Sequence, residues 1–402
     1  MRFNQVLLQV AIAGQVSAIA RDPGVSGPPL ELVHEFYDEW PTGVAVSSTG
    51  RMFACYPLGL DANNTKYQVA ELINRTAETP YPTTEINSPP GGPFNYSTTP
   101  PTSVNYADYL ISVQSVYIDA KDRLWILDTG RAQTPDGNLL LATHGGPKIV
   151  GVNLTTNEVF QTITFPLDVA YPDSYLNDVR FDLRTTITES GEGVAYLTDS
   201  SFVGRNGIVV VDLGTGESWR HLDDLLWAKA DVNFEVTIWG DTIQNQATGS
   251  DGITVSADGE TLYFGVVSGR YIYSVPTARL LDSSSTNAQM RSLAAVNRLV
   301  QKGVSDGYEV DSNGYIYLGS FEANAINIFF PDNLTVSTFV RDPRIGWTDT
   351  LSVVSLPSND SSSSATTGYV YFTENQLWRS ERQKPYALFR VPLPDGGQKA
   401  VI

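Results

Sequence analysis

Short runs of alternating apolar and polar residues recur six times along this chain, and each run meets a polar turn and continues as a second, aromatic-rich run. Alternation with a period of two is typical of strands that bury one face. The turns at Ser48-Thr49-Gly50, Asp258-Gly259 and Asn313-Gly314 suit the positive φ of tight hairpins, so each copy predicts two antiparallel strands. The six copies run from Val44 to Tyr56, Val116 to Asp128, Val179 to Asp199, Ile253 to Val266, Tyr308 to Ser320 and Ser352 to Glu374.

Further strand pairs follow several copies, at Lys148 to Phe165, Gly207 to Arg220 and Ala325 to Val340. Two hairpins make a four-stranded blade, so the repeats predict an all-β, six-bladed β-propeller that occupies residues 21–402 as a single domain. The early run from Leu30 to Trp40 has no hairpin partner nearby. We expect it to complete the last blade beside Tyr386 to Leu393 and to close the ring without a covalent bond.

Two segments are predicted to be loops because of their composition. They are the proline-rich stretch from Ser88 to Ser103, whose prolines lack the ladder donor, and the Ser/Thr tract from Asn359 to Thr367. Helical spacing is found in Asp223 to Ala230 and in Thr286 to Val300. We expect both helices to serve packing or to lie at the rim.

The first twenty residues have the order of an export signal, with Arg2 ahead of the apolar stretch Val6 to Gly14 and the small-x-small pattern Ala18-Ile19-Ala20. The mature chain is therefore expected to begin near Arg21, in the secretory lumen or outside the cell. No later run has the length of a membrane-spanning helix. Six Asn-x-Ser/Thr sequons, which are compatible with a secreted glycoprotein, lie at Asn63, Asn74, Asn95, Asn153, Asn333 and Asn359.

Composition narrows the classes of partner and cofactor. Lys and Arg number 26 against 44 Asp and Glu, and the resulting net charge of −18 repels phosphate backbones, so nucleic-acid binding is not expected. Cys55 is the single cysteine, which excludes an intramolecular disulfide. The chain has no glycine-rich phosphate loop, so no nucleotide cofactor is implied. The G-x-S-x-G match at Gly303 to Gly307 precedes a strand, and no histidine follows His221, so it does not predict a serine hydrolase.

Aligning the six copies brings a polar residue into register just before each first strand. These register residues are Thr42, Gln114, Asn177, Asp251, Asp306 and Thr350, and their polar neighbours are Ser115, Asp178, Ser250, Ser305 and Asp349. Because innermost propeller strands converge on the central channel, these side chains are expected to ring one mouth of it. Two interpretations remain open: they bond to backbone at the strand starts, or at least two of them face a ligand.

The same mouth has residues suited to recognition. Trp125, Tyr175 and Trp347 are candidate stacking walls of a pocket, although blade cores also use aromatic residues. Asn177, Asp251 and Asp306 supply the oxygen atoms that calcium prefers, at scattered spacing. A histidine-rich metal site is not expected, because the chain has only three histidines.

Several motifs resemble those of the major royal jelly protein/Yellow family, and they occur in the family's order from about residue 110 to 320. They are Leu124 to Gly130, Tyr175 to Val179, Ala195 to Ser200, Asp251 to Ile253 and Tyr273 to Thr277. The resemblance implies a secreted six-bladed propeller with a ligand channel. The insect members usually carry cysteine pairs, whereas this chain has Cys55 alone, which points to the fungal branch of the family.

Fungal relatives include hetero-Diels–Alderases that make tropolone sesquiterpenoids. The resemblance therefore implies a cofactor-free enzyme of secondary metabolism that joins a tropolone quinone methide to a humulene-type sesquiterpene. Such a reaction needs a pocket that holds two apolar or aromatic small molecules together, and polar groups that assist loss of water. Asn177 and Asp178 are the candidate catalytic residues. The candidate substrate contacts are Asp251, Asp306, Gln114, Trp125, Tyr175 and Trp347.

Two other functions fit the same residues. A non-catalytic propeller would bind small amines or phenols, with carboxylates pairing with an ammonium group and aromatic rings packing on the ligand. A calcium-dependent lactonase, resembling the gluconolactonase or paraoxonase propellers, would hold a metal at the same mouth. Elemental analysis of gently purified protein tests the second alternative.

Overall fold

Six four-stranded antiparallel sheets dominate the part of the chain that the structure describes, alongside two small two-stranded sheets. The structure is a computed structural model and describes residues 24–402 except 204, 245–246, 284–285 and 359–364. The predicted export signal lies outside the described residues. The innermost strands of successive sheets contact one another, and the last contacts the first, so the predicted six-bladed β-propeller is confirmed.

Each blade runs in chain order from the central channel to the rim, and in the sixth blade the outermost strand comes from the start of the chain. Blade 1 contains Val44–Val46, Met52–Cys55, Val69–Leu72 and Glu78–Pro80. Blade 2 contains Val113–Ile118, Leu124–Asp128, Lys148–Asn153 and Glu158–Thr164. Blade 3 contains Leu176–Asp182, Val194–Asp199, Gly207–Asp212 and Ser218–His221. Blade 4 contains Ser250–Val255, Thr261–Val266, Tyr271–Pro276 and Asn297–Gln301. Blade 5 contains Tyr308–Val310, Ile316–Ser320, Ala325–Phe330 and Thr335–Arg341. Blade 6 contains Leu351–Pro357, Thr366–Glu374, Tyr386–Pro392 and Glu31–Phe36.

The strand Glu31–Phe36 closes the ring, as its lack of a local partner predicts. It pairs antiparallel with Tyr386–Pro392, and Phe36 lies opposite Tyr386. Arg390 holds the other end of this pairing, because its guanidinium donates to both carboxylate oxygens of Glu31 at 2.7 and 2.8 Å. His34 and Phe36 are fully buried. Burial and hydrogen bonding therefore close the propeller, and Cys55 is a free buried thiol.

The hairpin turns have the backbone conformation that their glycines predict. Gly50, Gly259 and Gly314 adopt φ values of +83°, +79° and +79°, which residues with a Cβ rarely adopt. Each turn connects the first and second strands of its blade, and an apolar core fills the space between neighbouring blades. Period-two alternation and turn chemistry thus place the strands correctly.

The helix and loop predictions need correction in four places. Thr286 to Val300 is helical only over Thr286–Ala294, and the remainder forms the outer strand of blade 4. Asp223 to Ala230 contains only a 3-10 turn, Leu226–Ala228. The proline-rich loop includes a minimal ladder of Phe94–Asn95 with Thr102–Ser103. Thr366 and Thr367, at the end of the Ser/Thr tract, belong to a blade 6 strand, while residues 359–364 lie outside the described residues.

Several elements are absent from the sequence predictions, among them the outer strands of blade 1, Val69–Leu72 and Glu78–Pro80. A short helix, Thr277–Leu280, follows the third strand of blade 4. A hairpin of Glu235–Ile238 and Asp241–Gln244 lies between blades 3 and 4. No helix among the described residues has the length and apolar character needed to cross a lipid bilayer.

The C-terminal segment closes one end of the central channel. Lys399 pairs with Asp311 in an isolated bridge, and its ammonium donates to the carbonyl oxygen of Ile118 at 2.8 Å. Ile118 and Val310 end the innermost strands of their blades, so this closure is at the end opposite the strand starts. The channel is therefore closed at the end away from the register residues.

Candidate active site

A cavity of about 260 Å³ lies at the channel mouth where the innermost strands begin. Four of the six register residues line it, and they are Gln114, Asn177, Asp251 and Asp306. Its remaining walls are Leu60, Tyr175, Ser200, Phe202, Ile243, Thr248, Val267, Trp347, Asp349, Leu377 and Trp378. The cavity combines a polar floor with apolar and aromatic sides, which is the usual character of a small-molecule site.

Ladder irregularities aim three of these side chains into the cavity. The pairing of the first two strands shifts register between Val113 and Ser115 in blade 2, between Leu176 and Val179 in blade 3, and between Ser250 and Ile253 in blade 4. Gln114, Asn177 and Asp251 lie within these interruptions. A bulge turns a side chain away from the regular pleat, so the three residues can leave the blade core for the channel.

Of the two remaining register residues, Thr42 fits the other interpretation, in which polar side chains bond to backbone at the strand starts. Thr42 is fully buried and donates to the carbonyl oxygen of Gln114 at 2.9 Å. The backbone amide of Thr350 donates to the hydroxyl of Thr373 at 3.3 Å. Neither threonine lines the cavity. The backbone-bonding interpretation therefore applies to Thr42, whereas four other register residues line the cavity.

Asp251 and Asp306 form the centre of the cavity floor. Asn177 donates its amide to Asp251 Oδ2 at 2.7 Å and to the hydroxyl of Ser200 at 3.0 Å. The indole of Trp347 donates to Asp306 Oδ2 at 2.7 Å. The two carboxyl groups lie close enough for each to shift the pKa of the other. Each is thus held by a neutral donor on one side and faces the other acid.

Burial favours a proton on this pair. It is the largest cause that raises the pKa of Asp251 and of Asp306 well above the ordinary aspartate range. For Asp306 the negative charge of Asp251 acts next in the same direction, and the indole bond from Trp347 opposes it. Two close carboxylates repel each other when both are ionised, so burial and this repulsion both favour the protonated form of the pair. A carboxylic acid that keeps its proton at neutral pH can act as a general acid.

The sequence analysis gave Asp349 only a minor position and did not identify Lys302. Asp349, counted only as a neighbour of the ring, lines the cavity and accepts the amide of Asn375 at 2.9 Å. Burial raises its pKa also, with Asp306 adding to the effect. Lys302 was not a candidate, yet burial lowers its pKa to about 7 against the attraction of Asp306. A lysine four residues before a register aspartate is the signal that would have found it.

Aromatic residues stiffen the cavity walls. The hydroxyl of Tyr175 donates to Gln114 Oε1 at 3.0 Å, and Phe202 tilts over the Tyr175 ring with centroids 5.9 Å apart. Trp347 stacks on Phe321 with centroids 4.4 Å apart and an interplanar angle of 27°. Tyr175 and Trp347 therefore lie where the aromatic-wall prediction puts them, and Phe202 and Trp378 extend the wall.

The hairpin between blades 3 and 4 forms part of the cavity wall. Val236 and Ile238 pack in a cluster with Val267, Trp347 and Trp378, and Ile243 reaches the cavity itself. Trp239 at the hairpin tip donates its indole N–H to the carbonyl oxygen of Ile345 at 3.2 Å. Contacts made by blades 5 and 6 thus fix an insertion that the repeat pattern does not predict.

Two predicted site residues lie outside this cavity. Trp125 is fully buried in the core between blades 2 and 3, where its indole donates to Asp119 Oδ2 at 2.8 Å, so it is not a substrate wall. Asp178 is buried farther down the channel, where it accepts the hydroxyl of Ser115 at 3.2 Å and lies 3.9 Å from Arg180. Its carboxylate is absent from the cavity lining, so the candidate catalytic role passes to the other acids.

The residues at the mouth do not fit a calcium site. Asn177 directs its amide hydrogens, rather than its oxygen, at Asp251. Within the described part of the chain, no three His, Cys, Asp or Glu side chains converge to hold a metal ion. Calcium takes six to eight oxygen ligands around one point, and the described carboxylates do not converge in that way. No step of the proposed chemistry is therefore assigned to a metal.

The sequons differ in exposure. Asn63, Asn74, Asn153 and Asn333 are exposed, whereas Asn95 is partly buried, and Asn359 lies outside the described residues. Asn74 and Asn153 cap turns, because their side-chain oxygens accept backbone amides two residues ahead at 3.0 and 2.8 Å. Four sequons are thus accessible on the folded surface.

Comparison with known proteins decides the family. The sequence profile of the major royal jelly protein family matches residues 111–387, well over half of the chain. The chain belongs to the major royal jelly protein family. Major royal jelly protein 5 of Apis mellifera is 23% identical to this family member over 231 residues, which are 55% of this chain and 35% of the bee protein. The match thus spans about a third of the length of that relative.

Solved structures share the propeller fold with this major royal jelly protein family member. A luciferin-regenerating enzyme aligns with a TM-score of 0.52 and 11% identity, covering 93% of this chain and 98% of that one. A gluconolactonase from Xanthomonas campestris aligns with a TM-score of 0.46 and 12% identity over 92% of this chain and 97% of that one. At 11% identity, the similarity to the luciferin-regenerating enzyme shows the fold alone.

Proposed function

We propose that this protein is a secreted, cofactor-free biosynthetic enzyme of fungal secondary metabolism, a hetero-Diels–Alderase that joins a tropolone quinone methide to a humulene-type sesquiterpene. The observation that carries the proposal is the pair of buried acids, Asp251 and Asp306, on the floor of an aromatic-walled cavity, where burial raises the pKa of both. The reaction begins with an acid-assisted loss of water and continues as an addition between two uncharged partners. It therefore suits a floor that holds a proton donor beneath apolar walls.

In the first step the pair donates its proton to the hydroxyl of a hydroxymethyl tropolone. The carbon–oxygen bond breaks, water leaves, and the ring hydroxyl of the substrate returns a proton to the pair, so the acid is regenerated. The product is a quinone methide, whose oxygen, ring carbons and exocyclic carbon form a four-atom heterodiene. Asn177 holds Asp251 and Trp347 holds Asp306, so both acids are oriented before the substrate enters.

In the second step the heterodiene adds across an alkene of the sesquiterpene. One carbon–carbon and one carbon–oxygen bond form together, and no atom leaves. Holding the two partners in contact supplies most of the acceleration in such a step. Phe202, Val267, Leu377 and Trp378 offer apolar surface to the hydrocarbon, while Tyr175 and Trp347 add aromatic lining for the tropolone ring.

Incubation of the purified protein with a hydroxymethyl tropolone and a humulene-type alkene tests the proposal. We expect faster product formation and a single stereoisomer relative to the protein-free mixture. Asp306→Asn and Asp251→Asn should slow the loss of water by about 10²-fold or more. Asp332→Asn, at an exposed acid, is the matched control and should leave the rate unchanged. Yield and stereochemistry equal to the protein-free mixture would refute the proposal.

A preformed quinone methide separates the two steps. With this substrate the Asp306→Asn protein should retain its stereoselectivity, since the acid is needed only for the loss of water. Loss of selectivity in that assay would show that the carboxyl pair instead shapes the cavity.

A second candidate function is non-catalytic binding of small aromatic amines. It is favoured by the three acids Asp251, Asp306 and Asp349 beside the faces of Tyr175 and Trp347. Calorimetric titration with tyramine at pH 8 and pH 5 tests it. Binding should be tighter at pH 8, because the acids ionise as pH rises while the ammonium keeps its charge. Equal affinity at both pH values would contradict amine recognition by these acids.

A further inference from the structure

A second cavity, of about 210 Å³, lies beside blade 1. Leu58, Leu110 and Ile111 form a buried apolar floor, and Pro89, Pro93 and Phe94 from the proline-rich loop cover it. The volume exceeds the roughly 150 Å³ of an engineered apolar cavity that takes up benzene. The space is therefore sufficient for a small organic molecule.

The amide side chains around this cavity are fully engaged within the protein. Asn87 accepts the backbone amides of Gln68 and Val69 at 2.8 and 2.9 Å and donates to the carbonyl oxygens of Tyr81 and Thr83 at 3.0 and 2.9 Å.

Two further lining amides are held in the same way. Gln68 accepts the amides of Leu58 and Val113, and Asn64 bonds to both backbone groups of Trp40. These three amides fix the walls and leave a ligand few hydrogen bonds to make. A ligand that needs strong polar partners would be desolvated there without compensation.

Charge separates this cavity from the candidate active site. None of the residues that line it is acidic, basic or histidine, in a chain of net charge −18. The candidate active site, in contrast, has three aspartates in its lining. The two cavities thus select ligands of different chemistry.

The two cavities share one wall. Leu60 lines the candidate active site, whereas Leu58 and Ala62 on the same turn line the second cavity. Gly59 between them has no room for a side chain, because a Cβ atom would lie 2.6 Å from the carbonyl oxygen of Arg131 and 3.0 Å from the hydroxyl of Tyr175. A single tightly packed turn therefore separates the two spaces.

We propose that the cavity beside blade 1 is a second small-molecule site, which takes an uncharged, mainly apolar ligand of about ten carbon atoms. Its occupancy does not depend on the reaction proposed for the first cavity. A ligand there contacts the Leu58–Ala62 turn and so touches the back of the wall that Leu60 presents to the first cavity.

Equilibrium dialysis with camphor tests the proposal, with camphor-10-sulfonate and bornylamine as charged analogues of similar shape. Ala62→Phe fills the second cavity from its wall, and Thr65→Phe fills it from the exposed rim should the first variant fold poorly. Val267→Phe narrows the first cavity, and Ala77→Phe, at an exposed turn, is the matched surface control.

We expect camphor to bind the wild type, Val267→Phe and Ala77→Phe, and to lose one equivalent of binding, at least tenfold in affinity, in Ala62→Phe and Thr65→Phe. Camphor-10-sulfonate should not compete, because the cavity has no cation. Camphor binding that survives both cavity-filling variants would overturn the proposal. So would camphor binding that disappears in Val267→Phe alone, or equal binding of the sulfonate.

Discussion

Replacing Trp347 by Phe removes one hydrogen bond from the candidate acid pair while keeping an aromatic ring in place. The indole N–H donates to Asp306 Oδ2 at 2.7 Å, and the ring stacks on Phe321 at 4.4 Å. Trp347 is 1% exposed, so its ring is packed within the protein on the side away from the cavity. The indole bond favours the ionised acid, so its removal raises the pKa of Asp306 further.

The size of the effect follows from the two forms of the acid. A hydrogen bond to a charged group contributes about 1.5–3 kcal/mol, and one to a neutral group about 0.5–1.5 kcal/mol. Packing loss from the smaller ring is the same at every pH and is below the 3–5 kcal/mol of full truncation to alanine. The variant should therefore lose about 1–1.5 kcal/mol more free energy of unfolding at alkaline pH, once Asp306 is ionised, than at pH 4.5, where the acid is protonated.

Urea denaturation of wild type and variant at the two pH values measures this difference. Trp125→Phe is the matched control, since Trp125 is equally buried and its indole donates to Asp119 at 2.8 Å outside the cavity. It should lower stability and leave turnover or ligand binding in the cavity unchanged. If the Trp347→Phe loss is the same at both pH values, the indole does not control the charge of Asp306 and the reasoning fails.

Three further outcomes are expected. Burial raises the pKa of Glu374 from 4.5 to about 8, so the wild-type free energy of unfolding should fall between pH 5 and 8, by at most roughly 5 kcal/mol. Glu374→Gln should flatten the plot of urea midpoint against pH, and parallel plots for wild type and variant would contradict this. Gly59→Ala should cost about 1–3 kcal/mol, because the new Cβ lies 2.6 Å from the carbonyl oxygen of Arg131, and an unchanged urea midpoint would disprove that contact. Phe36→Ala on the closing strand should cost about 3–5 kcal/mol, whereas Tyr37→Ala, at a half-exposed neighbour, should cost under about 1 kcal/mol; similar losses would argue against closure by burial.

The repeated strand pairs could be predicted from the sequence because local interactions determine them. Alternation with a period of two depends on which face of a strand is buried, and the turns at Gly50, Gly259 and Gly314 depend on the backbone freedom of one residue. The closing strand was predictable by elimination, since Glu31–Phe36 has no neighbour to pair with. The helix predicted to Val300 failed because pairing with blade 4 overrides helical spacing after Ala294.

The candidate site was only partly readable. Its polar ring could be found by aligning repeats, and Asn177, Asp251 and Asp306 do meet in one cavity. The hairpin wall could not, because an insertion belongs to no repeat. The calcium hypothesis required knowing which way the Asn177 amide points, which no spacing contains.

Trp125 and Trp347 separate what the sequence determines from what only the tertiary structure determines. Both are buried tryptophans that donate to an aspartate, one in a core between blades and one at the cavity. Sequence alone determined that six sheets form, that they close on themselves, and that acidic residues begin several innermost strands. Tertiary structure decided which of those residues face a common space, because that depends on ladder bulges and on contacts between residues far apart in the chain.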